Sequence, residues 1–212
     1  MHISILVFGD SVGWGAWDSQ KGGWVSRLKI HFQSKKYRDR FRIYVNNLSV
    51  GAETTDYLLE RFQNESKIRD MQDKEQGKHN IIIFAIGIND SRIKKPKVIP
   101  KEFKKNIIEL IKQAKGFTSK IIFVGLNRMN KTRDYSMPWV DRDVYNNKNI
   151  KEYNSIINKV CRENKINFIP IINLLDENDL EDGLHPNSRG HQKMFEKIKD
   201  FLLENNLIKV GE

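Results

Sequence analysis

The sequence predicts an α/β domain in which a parallel β-sheet carries helices on both faces. Five short apolar runs bounded by turn residues recur along the chain, and helical stretches with apolar stripes alternate with them. Strands joined through helices run parallel with right-handed crossovers, which places helices on both sides of the sheet. No internal repeat and no Pro/Gly/Ser-rich linker interrupts the 212 residues, so a single domain over 1–212 is expected.

The elements follow in order. "ISILVFG" (3–9) reads as a buried strand, and a helix is expected around 22–36. "RIYVNNLS" (42–49) is the second strand and 54–70 the next helix. "NIIIFAIG" (80–87) is the third strand. Phe103, Ile107, Leu110, Ile111 and Ala114 then form a stripe of helical period that Gly116 ends. "KIIFVGL" (120–126) is the fourth strand, and an irregular stretch over 127–148 follows it, long enough to form a pocket wall or lid. A helix over 149–164 has the stripe Ile150, Tyr153, Ile157, Val160, Cys161. "NFIPII" (167–172) is the fifth strand, and Met194, Ile198, Phe201 and Leu202 mark a terminal helix.

Composition narrows the function classes. With 39% hydrophobic residues the chain can bury a core, and no apolar run approaches the roughly 18 residues of a membrane span. The first nine residues lack a basic lead and run directly into a motif, so a strand is expected there rather than a signal peptide, with the cytoplasm as default. Lysine and arginine exceed acidic residues by 37 − 27 = 10. The basic residues are spread over the polar helix faces without interleaved aromatics, so a solvated surface is expected and no nucleic-acid partner. Cys161, the sole cysteine, excludes an internal disulfide and sits on a helix stripe as a small hydrophobe. No phosphate-cradling glycine motif follows the first strand, and the spacing of Asp182, His185 and His191 fits no familiar metal pattern. Neither a metal nor a cofactor is expected.

In an open parallel sheet, ligands bind beyond the carboxyl ends of the strands. The residues there are Gly9-Asp10-Ser11, Ser49-Val50-Gly51, Gly87-Ile88-Asn89-Asp90 and, after the fifth strand, "EDGLHPNSRG" (181–190). Each has an ordinary reading alone. Ser11 caps a turn, Gly51 takes a positive φ, Asn89 closes an Asx-turn, and Asp182-Gly183 and His185 belong to a surface loop. Together, on one sheet edge, they supply a nucleophile, a base, an orienting acid and oxyanion donors.

Block by block, "GDS", "SVGAET", "GIND" and "DGLHPN" resemble the SGNH (GDSL-type) hydrolases, in the family's order and over nearly the whole chain. Val12 stands where the family often has Leu or Ile. The resemblance implies Ser11 as nucleophile, His185 as base and Asp182 as the acid that orients it. It also implies an oxyanion hole from the backbone N–H groups of Ser11 and Gly51 with the Asn89 amide. With these come a flavodoxin-like three-layer α/β/α sandwich of strand order 2-1-3-4-5 and a small-molecule acyl ester as substrate. Family members include carbohydrate acetylesterases, lysophospholipases, thioesterases and arylesterases. A short acyl group, acetyl to butyryl, is expected; the alternatives are a longer-chain lysophospholipase or thioesterase, or an idle carbohydrate- or lipid-binding module.

Gly9, Ser11 and Gly13 also match G-x-S-x-G, the nucleophile elbow of α/β-hydrolases. That elbow lies mid-chain and turns directly into a helix, with acid and histidine on separate loops. Here the serine follows the first strand, glycines and tryptophans are expected to delay any helix, and Asp182 and His185 lie three apart. Pro186 favours an extended His185, and Asn187 or Ser188 can cap the last helix. Trp24 is expected to pack the first helix on the sheet. Trp14, Trp17, Tyr135 and Trp139 either pack likewise or line a pocket.

Overall fold

A computed structural model describes residues 2–71, 79–94, 98–130 and 144–208. Five strands form one parallel sheet: β1 (His2–Gly9), β2 (Arg42–Asn47), β3 (His79–Ala85), β4 (Lys120–Val124) and β5 (Asn167–Ile169), in the order β2-β1-β3-β4-β5. The helices are α1 (Ser11–Trp14), α2 (Gly23–Phe32), α3 (Lys35–Arg38), α4 (Thr55–Met71), α5 (Pro100–Lys115), α6 (Asn147–Glu163) and α7 (Ser188–Glu204).

Alternation along the strands builds two cores. Ile3, Ile5 and Val7 of β1 and Ile81, Ile83 and Ala85 of β3 face α2 and α7. Leu6 and Phe8, with Ile82 and Phe84, point the other way, against Leu58 and Phe62 of α4 and the apolar stripes of α5 and α6. A strand buried on both faces must be apolar at every position, as β1 and β3 nearly are. Trp24 is fully buried in the first of these cores, in its expected packing role. The chain leaves β1 for β2 on one side and later returns for β3 on the other. The crevice at the carboxyl end of β1 therefore lies at a switch in strand order.

The element boundaries carry physical corrections. The expected strand 167–172 stops at Ile169, because Pro170 has no N–H to continue a ladder. The expected helix 22–36 divides at Gln33–Ser34 into α2 and α3. The largest correction concerns the serine. Helix is not delayed: the Asp10 side chain accepts the Val12 N–H and starts a single turn at Ser11 itself. The turn ends at Gly15, whose φ is 99°. A side chain there would also run into the Gly22 carbonyl, so the close approach of this turn to α2 requires glycine. Tyr135 and Trp139, expected near a pocket, lie outside the described residues. Among the described residues, no helix is long and apolar enough to cross a membrane.

Cys161 is fully buried on α6, and burial pushes its thiol up to about 12. A thiol-specific disulfide reagent at neutral pH should therefore leave the native protein untouched and titrate one thiol after denaturation. Rapid reaction of the folded protein would contradict this packing.

Candidate active site

Residues from opposite ends of the chain meet at the carboxyl edge of β1. The Ser11 hydroxyl lies 2.9 Å from Nε2 of His185, and Nδ1 of His185 lies 2.6 Å from Oδ2 of Asp182. The Asp182 side chain is inaccessible to solvent, whereas that of His185 retains 15% exposure. Burial alone would raise the Asp182 pKa. The His185 ring and the backbone N–H groups of His185 and Leu184 overcome that effect and hold it at about 2. An ionised Asp182 only accepts, so Nδ1 carries the proton and a neutral ring turns its Nε2 lone pair toward Ser11.

Local geometry fixes this loop. Oδ1 of Asp182 accepts the N–H groups of Leu184 (3.0 Å) and His185 (2.8 Å), an Asx-type turn that explains the three-residue spacing. Oδ2 takes the Trp17 indole N–H (2.9 Å) in addition to the His185 ring. From the end of β4, the Asn127 amide donates to the Leu184 carbonyl and the Asn130 N–H to the Gly183 carbonyl. Asn187 caps α7, accepting the N–H groups of Arg189 and Gly190.

The other two expected residues flank this chain of bonds. The Val50 N–H donates to the Gly9 carbonyl, which keeps the Gly51 loop against the Ser11 turn. Gly51 is exposed, and the positive φ expected there falls instead on Ala52, at 61°. Asn89 is buried and does not form the Asx-turn of its ordinary reading. Its Oδ1 accepts from Arg92 and from the Tyr145 hydroxyl, each at 2.8 Å, and its Nδ2 donates to the Glu53 carbonyl. Arginine can only donate, so the orientation of the amide is determined and its second N–H remains for another acceptor. Glu53 lies two residues beyond Gly51, so this bond couples Asn89 to the Gly51 loop.

Sequence reasoning missed three partners: Trp17, Arg92 and Tyr145. Arg92 follows "GIND" closely enough to be suspected. No sequence signal tied Trp17 to residue 182, or Tyr145 to residue 89. His191, weighed as a ligand, is buried with both ring nitrogens engaged: Nε2–H donates to the Ala16 carbonyl and Nδ1 accepts the Trp24 N–H. Two buried acids accompany the site. Burial raises Asp10 to about 7, against the opposing effect of the Val12 N–H, and raises Asp90 to about 6 against the bonds from Thr55.

The profile of the GDSL-like lipase/acylhydrolase family matches residues 7–193. Similar solved structures include a lipase/acylhydrolase from Enterococcus faecalis, at 20% identity and TM-score 0.72, covering 99% of this chain and 98% of that one. A variant of Axe2, an acetyl xylan esterase from Geobacillus stearothermophilus, aligns at 18% identity and TM-score 0.71, over 99% of this chain and 97% of that one. LAE5, an α/β hydrolase enzyme from the Lake Arreo metagenome, aligns at 19% identity and TM-score 0.70, over 97% and 96%. These likenesses establish the fold. Among curated proteins, no sequence relative matches.

Asp10→Asn keeps an acceptor for the Val12 N–H while removing a carboxyl whose ionisation the fold opposes. Because the native pKa is raised from 3.8 to about 7, the unfolded chain releases this proton first. Wild-type stability should therefore fall across that interval by about 4 kcal/mol from this group. Denaturant unfolding at about pH 4 and about pH 8 should show the asparagine variant gaining on wild type at the higher pH. An equal difference at both would refute the assignment.

Proposed function

The chain belongs to the GDSL-like lipase/acylhydrolase family and is an esterase of the SGNH type, and we propose that it hydrolyses short-acyl carboxylic esters through an acyl-enzyme on Ser11. The observation that carries this reading is the continuous hydrogen-bonded chain from Ser11 through His185 to a buried, ionised Asp182.

In the first half-reaction, Ser11 Oγ attacks the ester carbonyl carbon while His185 Nε2 takes the hydroxyl proton. Asp182 holds the ring by Nδ1 and stabilises the imidazolium that forms. The carbonyl oxygen becomes an oxyanion. The N–H groups of Ser11 and Gly51, neither of which bonds to another described residue, are its donors, together with the remaining N–H of the Asn89 amide. The bond to the alcohol oxygen then breaks, and His185 returns the proton to that oxygen. In the second half-reaction water attacks the acyl-enzyme with His185 again as base, releasing the carboxylic acid and Ser11.

The short-acyl assignment rests on the loops beside Ser11. Their exposed large apolar groups are Trp14 (61%), Trp17 (41%) and Val50, separate side chains on α1 and its neighbours. Among the described residues, they stand as single side chains that can border a small acyl or alcohol group. A cavity of about 360 Å³, lined largely by polar and charged residues such as Arg128, Asn147, Asp176 and Glu177, does not include Ser11 or His185.

Ser11→Ala should keep the fold and lower turnover by as much as about 10⁶-fold, as removal of a triad nucleophile does elsewhere. A folded variant retaining most activity would remove Ser11 from the mechanism. Asn89→Ala should lower kcat by about 10²–10³ with KM little altered, because its bond strengthens only as charge develops. The variant should also melt early, since Tyr145 and Arg92 lose their acceptor. Early melting with normal turnover would leave Asn89 a structural residue. Across aryl esters of increasing chain length, kcat/KM should peak between acetyl and butyryl. A steady rise to decanoyl would favour the longer-chain lysophospholipase or thioesterase. Absence of turnover on any ester, by a folded protein, would favour a binding module.

A further inference from the structure

Trp17 occupies the left-handed region, with φ 66°. That conformation is uncommon for a bulky side chain and marks a position that its surroundings must enforce. Both neighbours are anchored. The Ala16 carbonyl accepts from His191 on α7. The Asp18 carboxylate accepts from Arg27 on α2, from the Ser188 hydroxyl and from the N–H groups of Gln20, Lys21 and Gly23. Core packing does not account for the arrangement, because Trp17 remains 41% exposed. Its indole N–H lies 2.9 Å from the Asp182 oxygen that also receives the His185 ring.

We infer that Trp17 is a positioning residue of the proposed esterase site, completing the donor set of Asp182 and thereby fixing the acid–base pair; this rests on the roles proposed above for Ser11, His185 and Asp182. A carboxylate oxygen accepts two bonds comfortably. Oδ1 is filled by two backbone N–H groups of its own loop. Oδ2 has one position for His185, and Trp17 fills the other, where a water would otherwise bind or the carboxylate would swing. Indole suits the task because it donates and never accepts, so it cannot divert the proton that passes between Ser11 and His185. Its ring stands edge-on to the imidazole, with centroids 6.3 Å apart and planes at 83°.

The indole also draws charge from the oxygen facing His185, so its removal strengthens the hold of Asp182 on the imidazolium. The other titratable groups around the pair are Asp10 at the start of α1, His191 on α7 and Tyr145, whose hydroxyl bonds to Asn89. Changing Trp17 to phenylalanine touches none of these directly.

Trp17→Phe keeps an aromatic ring and deletes the donor. With an aryl acetate as substrate, kcat/KM at neutral pH should fall about tenfold through kcat. The acid limb of the pH–rate profile should move up by about half a unit. Unchanged activity would overturn the inference. So would a loss of activity with the acid limb unmoved, which a simple packing role predicts. If the variant does not fold, the indole N–H resonance of Trp17 in the unaltered protein decides. It should titrate with the midpoint of the acid limb, and a signal indifferent to pH across that limb overturns the inference. Ser11→Ala assayed in parallel separates the two levels: an active Ser11→Ala protein removes the esterase mechanism itself, whereas an inactive one beside a normal Trp17→Phe removes only the role of Trp17.

Discussion

The site depends on holding residues 10–18 against residues 182–191, and the buried Asp18 carboxylate anchors that contact alongside the His191–Ala16 bond. It pairs with Arg27, both side chains being almost wholly removed from solvent, and it accepts the Ser188 hydroxyl at the start of α7. Arg27 reaches the same helix through Gln192 and the Ser188 carbonyl. Such a pair adds little net stability over an apolar replacement, yet removing one partner leaves an uncompensated charge at a cost of about 3–5 kcal/mol. Its effect is to determine where α7 begins relative to α1. The loop bearing Asp182 and His185 enters that helix directly, so the 2.9 Å approach of His185 to a serine 174 positions away follows from the clamp.

Around this clamp, neighbouring acids are shifted in opposite directions, Asp10 upward by burial and Asp182 downward by the donors that outweigh its burial. Asp182 collects two backbone N–H groups, an imidazole and an indole, and its pKa stays low although its side chain is buried. Asp10 is equally buried and has the Val12 N–H, while the nearby carboxylates of Asp90 and Glu53 oppose its charge. One carboxyl can stabilise an imidazolium. The other caps the turn that begins at Ser11, where burial disfavours its ionisation.

Much of this was legible in the sequence because it is local or periodic. All five strands, the stripes on α5, α6 and α7, and the strand-end blocks with Ser11, Gly51, Asn89, Asp182 and His185 follow from apolar runs, turn chemistry and family resemblance. Contacts between remote segments were not legible. The left-handed Trp17 is enforced by His191 and Arg27, and the Asn89 amide is oriented by Tyr145. The turn at Ser11 was misread because glycine and tryptophan argue against helix, whereas an Asp10 cap and four residues suffice for one turn. At Ala52 the same limit applies, since a loop anchored at Val50 to Gly9 takes its positive φ one residue beyond the glycine.

The central claim is that Ser11 carries the acyl group between two half-reactions, and trapping that intermediate tests it most directly. Protein quenched in acid during turnover of an aryl acetate should carry one additional acetyl group, and peptide mass spectrometry should locate it on Ser11. Acid-stable acetylation at another serine, or steady turnover with Ser11 never acylated, would contradict the account.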